Sequence, residues 1–124
     1  MAVIKRVLCR ELLRQVPEQF SWIDHRLVRD RHIGRCSAQA LALYLFLVTV
    51  ADGEGLSYYS DAGIGKFLPL DGPALAGARQ ELVRTRLIAY QKPLYQVLSL
   101  EEPTPRLGQA QSLGQILRQM EHQP

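Results

Sequence analysis

Ile64-Gly65-Lys66-Phe67-Leu68-Pro69-Leu70-Asp71 is the stretch that decides how the chain is read. It has the form of one helix ending, a tight turn through Pro69-Leu70, and an acidic cap opening a second helix. Pro73 falls in the first turn of that second helix, where a missing amide proton costs nothing. Helical spacing then puts Leu75, Ala78 and Leu82 on an inner side. Pro73, Ala76, Gly77, Gln80 and Arg84 are left on the opposite, outer side. Leu87-Ile88-Ala89-Tyr90 turns extended.

Working outward, Leu94 to Leu100 is a second apolar strand, separated from the first by Gln91-Lys92-Pro93. Upstream, Leu56-Ser57-Tyr58-Tyr59 is a short extended piece and Ser60 caps the helix that brings Ile64, Phe67 and Leu68 inside and leaves Lys66 outside. Ala38 to Ala51 precedes it, apolar on nearly every side and capped by Ser37; a helix with no polar face must be covered all round. At twelve to fourteen residues it is too short to cross a bilayer, which takes about 20. Asp52-Gly53-Glu54-Gly55 stops it.

The order helix, strand, helix, turn, helix, strand, short turn, strand over Ala40 to Leu100 resembles MarR-type and replication-initiator-type winged helices of bacteria. Trp22 to Ala51 resembles the lead-in to the first helix of the amino-terminal domain of primosomal replication proteins. The resemblance implies a mainly α fold with a small β wing, a winged helix-turn-helix carrying an added N-terminal helix and a short C-terminal helical tail. It further implies that the outer residues of the second helix face the major groove of duplex DNA, while Ser60, Lys66, Arg84, Arg86 and Lys92 contact phosphates. Arg86 stands where such domains usually have glycine. Base-reading helices expose Arg, Lys, Asn or Gln, and here only Gln80 and Arg84 qualify, so phosphate contacts should dominate.

Charge supports a second contribution from upstream. The net charge is only +3, but residues 1 to 36 hold eight Lys and Arg against four acids, whereas residues 37 to 100 hold five against five. Arg26, Arg29, Arg31 and Arg35 crowd together in that first third and are expected to add backbone contacts. Val3 to Val16 carries apolar residues at 3, 4, 7, 8, 12, 13 and 16 with bases between them, which predicts an amphipathic helix ended by Pro17. Three parts are thus expected: an N-terminal helix over 1–19, the winged-helix domain over 20–100, and a linker with a short helix over 101–124 whose inner face is Leu113, Ile116, Leu117 and Met120.

Other chemistries find little footing. With 47% hydrophobic and 22% charged residues the chain has a globular composition, and Cys9 and Cys36 suit a reducing cytoplasm. Cys9, His25, His32 and Cys36 contain one loose pair, not the close pairs that mark structural zinc. No glycine-rich phosphate loop and no nucleophile beside a base is present, so neither an enzyme nor a cofactor is expected. The expected partners are double-stranded DNA, a second copy through the N- or C-terminal helices, and a protein bound by the glutamine-rich tail, with no membrane. The leading function is a nucleoid-associated regulator of transcription, or an accessory factor for replication or transposition of a mobile element; the alternative is a winged-helix protein-interaction module.

Overall fold

Three side-chain caps set where the helices begin. Ser37, Ser60 and Asp71 each accept the amide proton of the residue three positions on, at 3.1, 3.0 and 2.8 Å, satisfying donors that have no partner inside a helix. The computed structural model describes residues 4–100. A 3₁₀ turn at Arg10–Leu12 is followed by α1 (Arg26–Arg29), a second 3₁₀ turn (Ile33–Arg35), α2 (Ala38–Val50), β1 (Leu56–Tyr58), α3 (Asp61–Gly65), α4 (Gly72–Arg84), β2 (Ile88–Gln91) and β3 (Leu94–Val97). The described part is helix-rich with one small three-stranded antiparallel sheet, in the order β1-β3-β2.

The sheet is a hairpin joined by an outer strand. Ile88 pairs with Val97 and Gln91 with Leu94 around the Lys92-Pro93 turn, whose peptide bond is cis. Leu56 to Tyr58 then pair with Gln96 to Leu94. Gly55 makes the approach possible: at φ +86° its carbonyl accepts from the Val97 amide at 2.8 Å. A Cβ there would meet the Val97 carbonyl oxygen at 2.6 Å, so only glycine fits.

The core lies between α2, α4 and the sheet, built from Leu43, Leu47, Ile64, Leu75, Leu82, Leu87, Ile88 and Tyr95. The expected inner set of α4, Leu75, Ala78 and Leu82, is buried in full. One side of α2 meets α4. Along another side the chain from Ser21 to Ser37 runs antiparallel to it: the Ser21 hydroxyl donates to the Thr49 carbonyl at 3.3 Å, and Ser37 caps the start of the same helix. Leu27 enters the core between them. Leu45 stays more than half exposed, so the cover expected all round α2 is incomplete.

Two expectations fail. Residues 4–16 form no amphipathic helix; apart from the turn at Arg10–Leu12 they are irregular, and all are exposed. An isolated helix shorter than about 12–15 residues is marginal in water, and here no surface covers its apolar side. Phe67, expected inside, is 64% exposed, because α3 ends at Gly65 and the chain has already begun to turn. Its ring stacks on Phe46 with centroids 5.6 Å apart. The 101–124 linker and helix lie outside the described residues.

Candidate nucleic-acid interface

The outer side of α4 is open along its length. Pro73, Ala76, Gly77, Gln80 and Arg84 are all exposed, and Val83, which spacing alone did not single out, joins them at 42% exposure. Nothing lies within 4 Å of the place a Cβ would occupy at Gly77. This helix therefore presents a low, nearly side-chain-free middle flanked by one amide and one guanidinium, a surface that another molecule can approach closely.

The end of α4 shows how Arg86 comes to face outward. The Leu87 amide donates to the Leu82 carbonyl at 3.0 Å and the Arg86 amide to Val83 at 3.1 Å, the paired bonds of a helix stop that needs a left-handed residue. Arg86 takes that place at φ 63°, where the resemblance leads one to look for glycine. Leu82 and Leu87 close the motif from the apolar side, both buried.

A residue that spacing missed ties the unit together. Arg79 donates to Asp61 at 2.8 Å and to the Tyr95 hydroxyl at 2.9 Å, with its guanidinium 4.6 Å from the centre of the Tyr90 ring. One side chain thus ties α3, α4, β2 and β3 together. Burial pushes the Tyr95 phenol up, so it stays protonated. The only signal in the sequence was an Arg one position after the buried Ala78, at the edge of the apolar stripe.

Tyr59 and Pro93, the chain neighbours of Ser60 and Lys92, meet at one end of the sheet, where the Tyr59 amide donates to the Pro93 carbonyl at 3.1 Å. Lys66, at the α3–α4 turn, is exposed. The Ser60 oxygen also caps α3, so its hydroxyl proton is what it could offer a phosphate.

The upstream arginines are less uniform than their spacing suggests. Arg26 is half-buried and engaged with Asp24, donating at 2.7 and 3.2 Å. Its guanidinium and backbone amide hold the Asp24 carboxyl down at about 2. It is a structural pair, and Arg26 is not offered to a phosphate. Arg35 spends one donor on the Asp30 carbonyl at 3.1 Å, and Arg29 lies 3.8 Å from Asp30. Arg29, Arg31 and Arg35 remain exposed.

Arg35 is nevertheless brought toward α4. The Ser37 amide and hydroxyl donate to the Glu81 carboxylate at 2.6 and 2.8 Å, a tie across 44 positions that also lowers the Glu81 pKa. Arg29 and Arg31 belong to the α1 end, further back along α2. Cys36 sits beside this tie, and burial pushes its thiol up, which makes it a poor nucleophile.

Among the described residues no group of three or more His, Cys, Asp or Glu side chains could hold a metal ion. No helix among them is long and apolar enough to cross a membrane. No protein-family model, no curated protein and no solved structure matches the chain.

Proposed function

We propose that residues 20–100 are a winged helix-turn-helix domain that binds duplex DNA, with α4 in the major groove and the β2–β3 hairpin as a small wing. The reading makes the protein a nucleoid-associated bacterial factor, a regulator of transcription or an accessory to replication or transposition of a mobile element. The observation that carries it is the division of α4 into a fully buried inner side and an open outer side that ends in Arg84.

Local charge supports the same reading, although residues 37–100 balance to zero. Asp61 is paired with Arg79, Glu81 is tied to Ser37, and Asp71 caps α4. Lys66, Arg84 and Lys92 point into solvent. Cations of that kind neutralise phosphates and release counterions, which supplies affinity without reading sequence.

A titration of fluorescent duplex DNA at two salt concentrations tests the reading. Binding should be measurable at low salt and fall steeply toward physiological salt, with little preference among unrelated sequences. No binding at low salt would remove the proposal. It would favour a protein-interaction module, for which the exposed Phe67 ring stacked on Phe46, itself 5.1 Å from Tyr59, offers a ready apolar contact.

A further inference from the structure

From residue 4 to residue 23 the chain is exposed without a break, yet the run contains nine large apolar side chains. Ile4, Leu8 and Leu12 keep 85, 88 and 81% of their surface, and Val16 and Trp22 keep 76% each. Single exposed hydrophobic residues need no explanation, but a continuous apolar surface on a soluble chain marks an interaction site.

The same chain carries a receiving surface. Between α2 and the segment that runs beside it is a groove of about 150 Å³ lined by Ile23, Leu27, Ile33, Leu41, Leu45 and Val48, with almost no polar surface. On the other side of residues 22–27 lies a cleft of about 460 Å³ whose rim includes Asp52 and Glu54. Neither acid has a cationic partner among the described residues. Backbone amides of Leu56 and Glu54 hold the Asp52 carboxyl below its ordinary range, so it stays charged.

We propose that residues 4–19 are an exchange arm, and that in a homodimer each copy lays its arm in the groove and cleft of the other, which residues 20–23 of the receiving copy help to line. Charge favours this occupant: the arm carries Lys5, Arg6, Arg10 and Arg14 against Glu11 and Glu18, and the cleft carries Asp24, Asp52 and Glu54 against Arg26. Geometry favours it as well. Ser21 is pinned to the C-terminal end of α2, so the arm leaves the domain there, and residues 4–19 line neither the groove nor the cleft of their own copy.

Length and size also fit. Fully extended, residues 4–19 could span roughly 50 Å, while a folded body of about 100 residues has a radius of gyration near 13 Å. The arm and groove together supply about the 20–30 residues a side of a stable interface. Because every copy both gives an arm and receives one, the exchange closes on a two-fold axis without leaving an arm over. Duplex DNA would satisfy the bases of the arm but leave Leu8, Leu12 and Val16 without a partner.

The test uses the full chain in size-exclusion light scattering across a dilution series, with two kinds of variant. Leu8→Asp with Leu12→Asp alters the arm; Leu45→Asp alters the groove. All three sites are more than half exposed, and unchanged circular dichroism checks that each variant folds. The wild type should run at twice the 14.0 kDa chain mass. Each variant should dissociate, its dimer constant weakened by about a hundredfold or more, as for truncation of two central interface residues. Mixing the two variants should restore a dimer, since one intact arm then meets one intact groove.

A wild type that is monomeric throughout, a dimer indifferent to both variants, or no complementation on mixing would each overturn the proposal. So would an arm variant that keeps the wild-type mass but loses duplex DNA, which would assign the arm to nucleic acid.

Discussion

Leu82 and Leu12 sit in stretches of similar apolar spacing and end in opposite environments. Leu82 is fully enclosed in the core, while Leu12 keeps 81% of its surface. The difference does not lie in local propensity. Residues 37–100 fold because partners distant in sequence close over each apolar side: α4 on α2, the hairpin beneath α4, and Leu27 from upstream. Residues 4–19 have a comparable pattern, and nothing among the described residues closes over them. Periodicity reports which side of an element wants to be buried, and whether anything covers it is a separate question.

Making the same substitution in both regions should have unequal consequences. Leu82→Ala should cost about 3 kcal/mol in denaturant unfolding, the usual size for a buried leucine. Leu12→Ala, measured at a concentration where the protein is monomeric, should stay within about 0.5 kcal/mol of wild type. Equal losses would show that the arm is packed in the monomer.

Arg79 is next in size. Arg79→Ala removes its ion pair with Asp61, its bond to the Tyr95 hydroxyl and its contact with the Tyr90 ring. It should destabilise by about 2 kcal/mol and loosen the hairpin, seen as faster hydrogen exchange at Tyr90 and Tyr95 while α2 stays protected. A uniform change across the domain would mean that Arg79 is only one more core contact.

Gly77→Ala should act in the other direction. Open space surrounds the site, so removing a glycine from the middle of α4 should stabilise the isolated protein by roughly 0.5–1 kcal/mol. Gly77→Glu, by contrast, should weaken DNA binding if the groove comes close to α4. Unchanged DNA affinity in the glutamate variant would separate the outer face of α4 from nucleic acid.

The smallest effect is the response to acid. The Glu81 pKa is held below the ordinary 4.5, chiefly by the Ser37 amide. Its contribution is therefore present above that value and lost as pH falls through the lowered one. Asp24 behaves alike between its ordinary 3.8 and about 2. Both are surface groups, so the slope should be shallow. Glu81→Gln should lower the melting temperature above pH 5 and do so by progressively less as pH falls below 4.5, and a loss independent of pH would point to packing and not charge.

Much of the domain was legible because local rules agreed with the final packing. Ser37, Ser60 and Asp71 cap the helices where spacing put them, the inner side of α4 is the expected one, and the hairpin turns at Lys92-Pro93. The left-handed stop at Arg86 was readable as a position where glycine is usual. The Ser37–Glu81 tie and the Arg79 clamp were not legible, since both join residues far apart whose identities carry no local signature. The engagement of Arg26 was hidden for a different reason: its partner Asp24 is only two positions away, but whether that pair forms depends on how α1 turns. Phe67 was misplaced because α3 ends one turn sooner than its apolar pattern.

The contrast between a domain that presents cations around α4 and an arm that presents apolar residues rests most directly on the salt dependence of duplex binding. The triple variant Lys66→Ala, Arg84→Ala, Lys92→Ala should flatten the slope of log affinity against log salt by about 3, close to one unit per lost phosphate contact. Leu8→Asp with Leu12→Asp should leave the slope per chain unchanged. An unaltered slope in the triple variant would contradict the account.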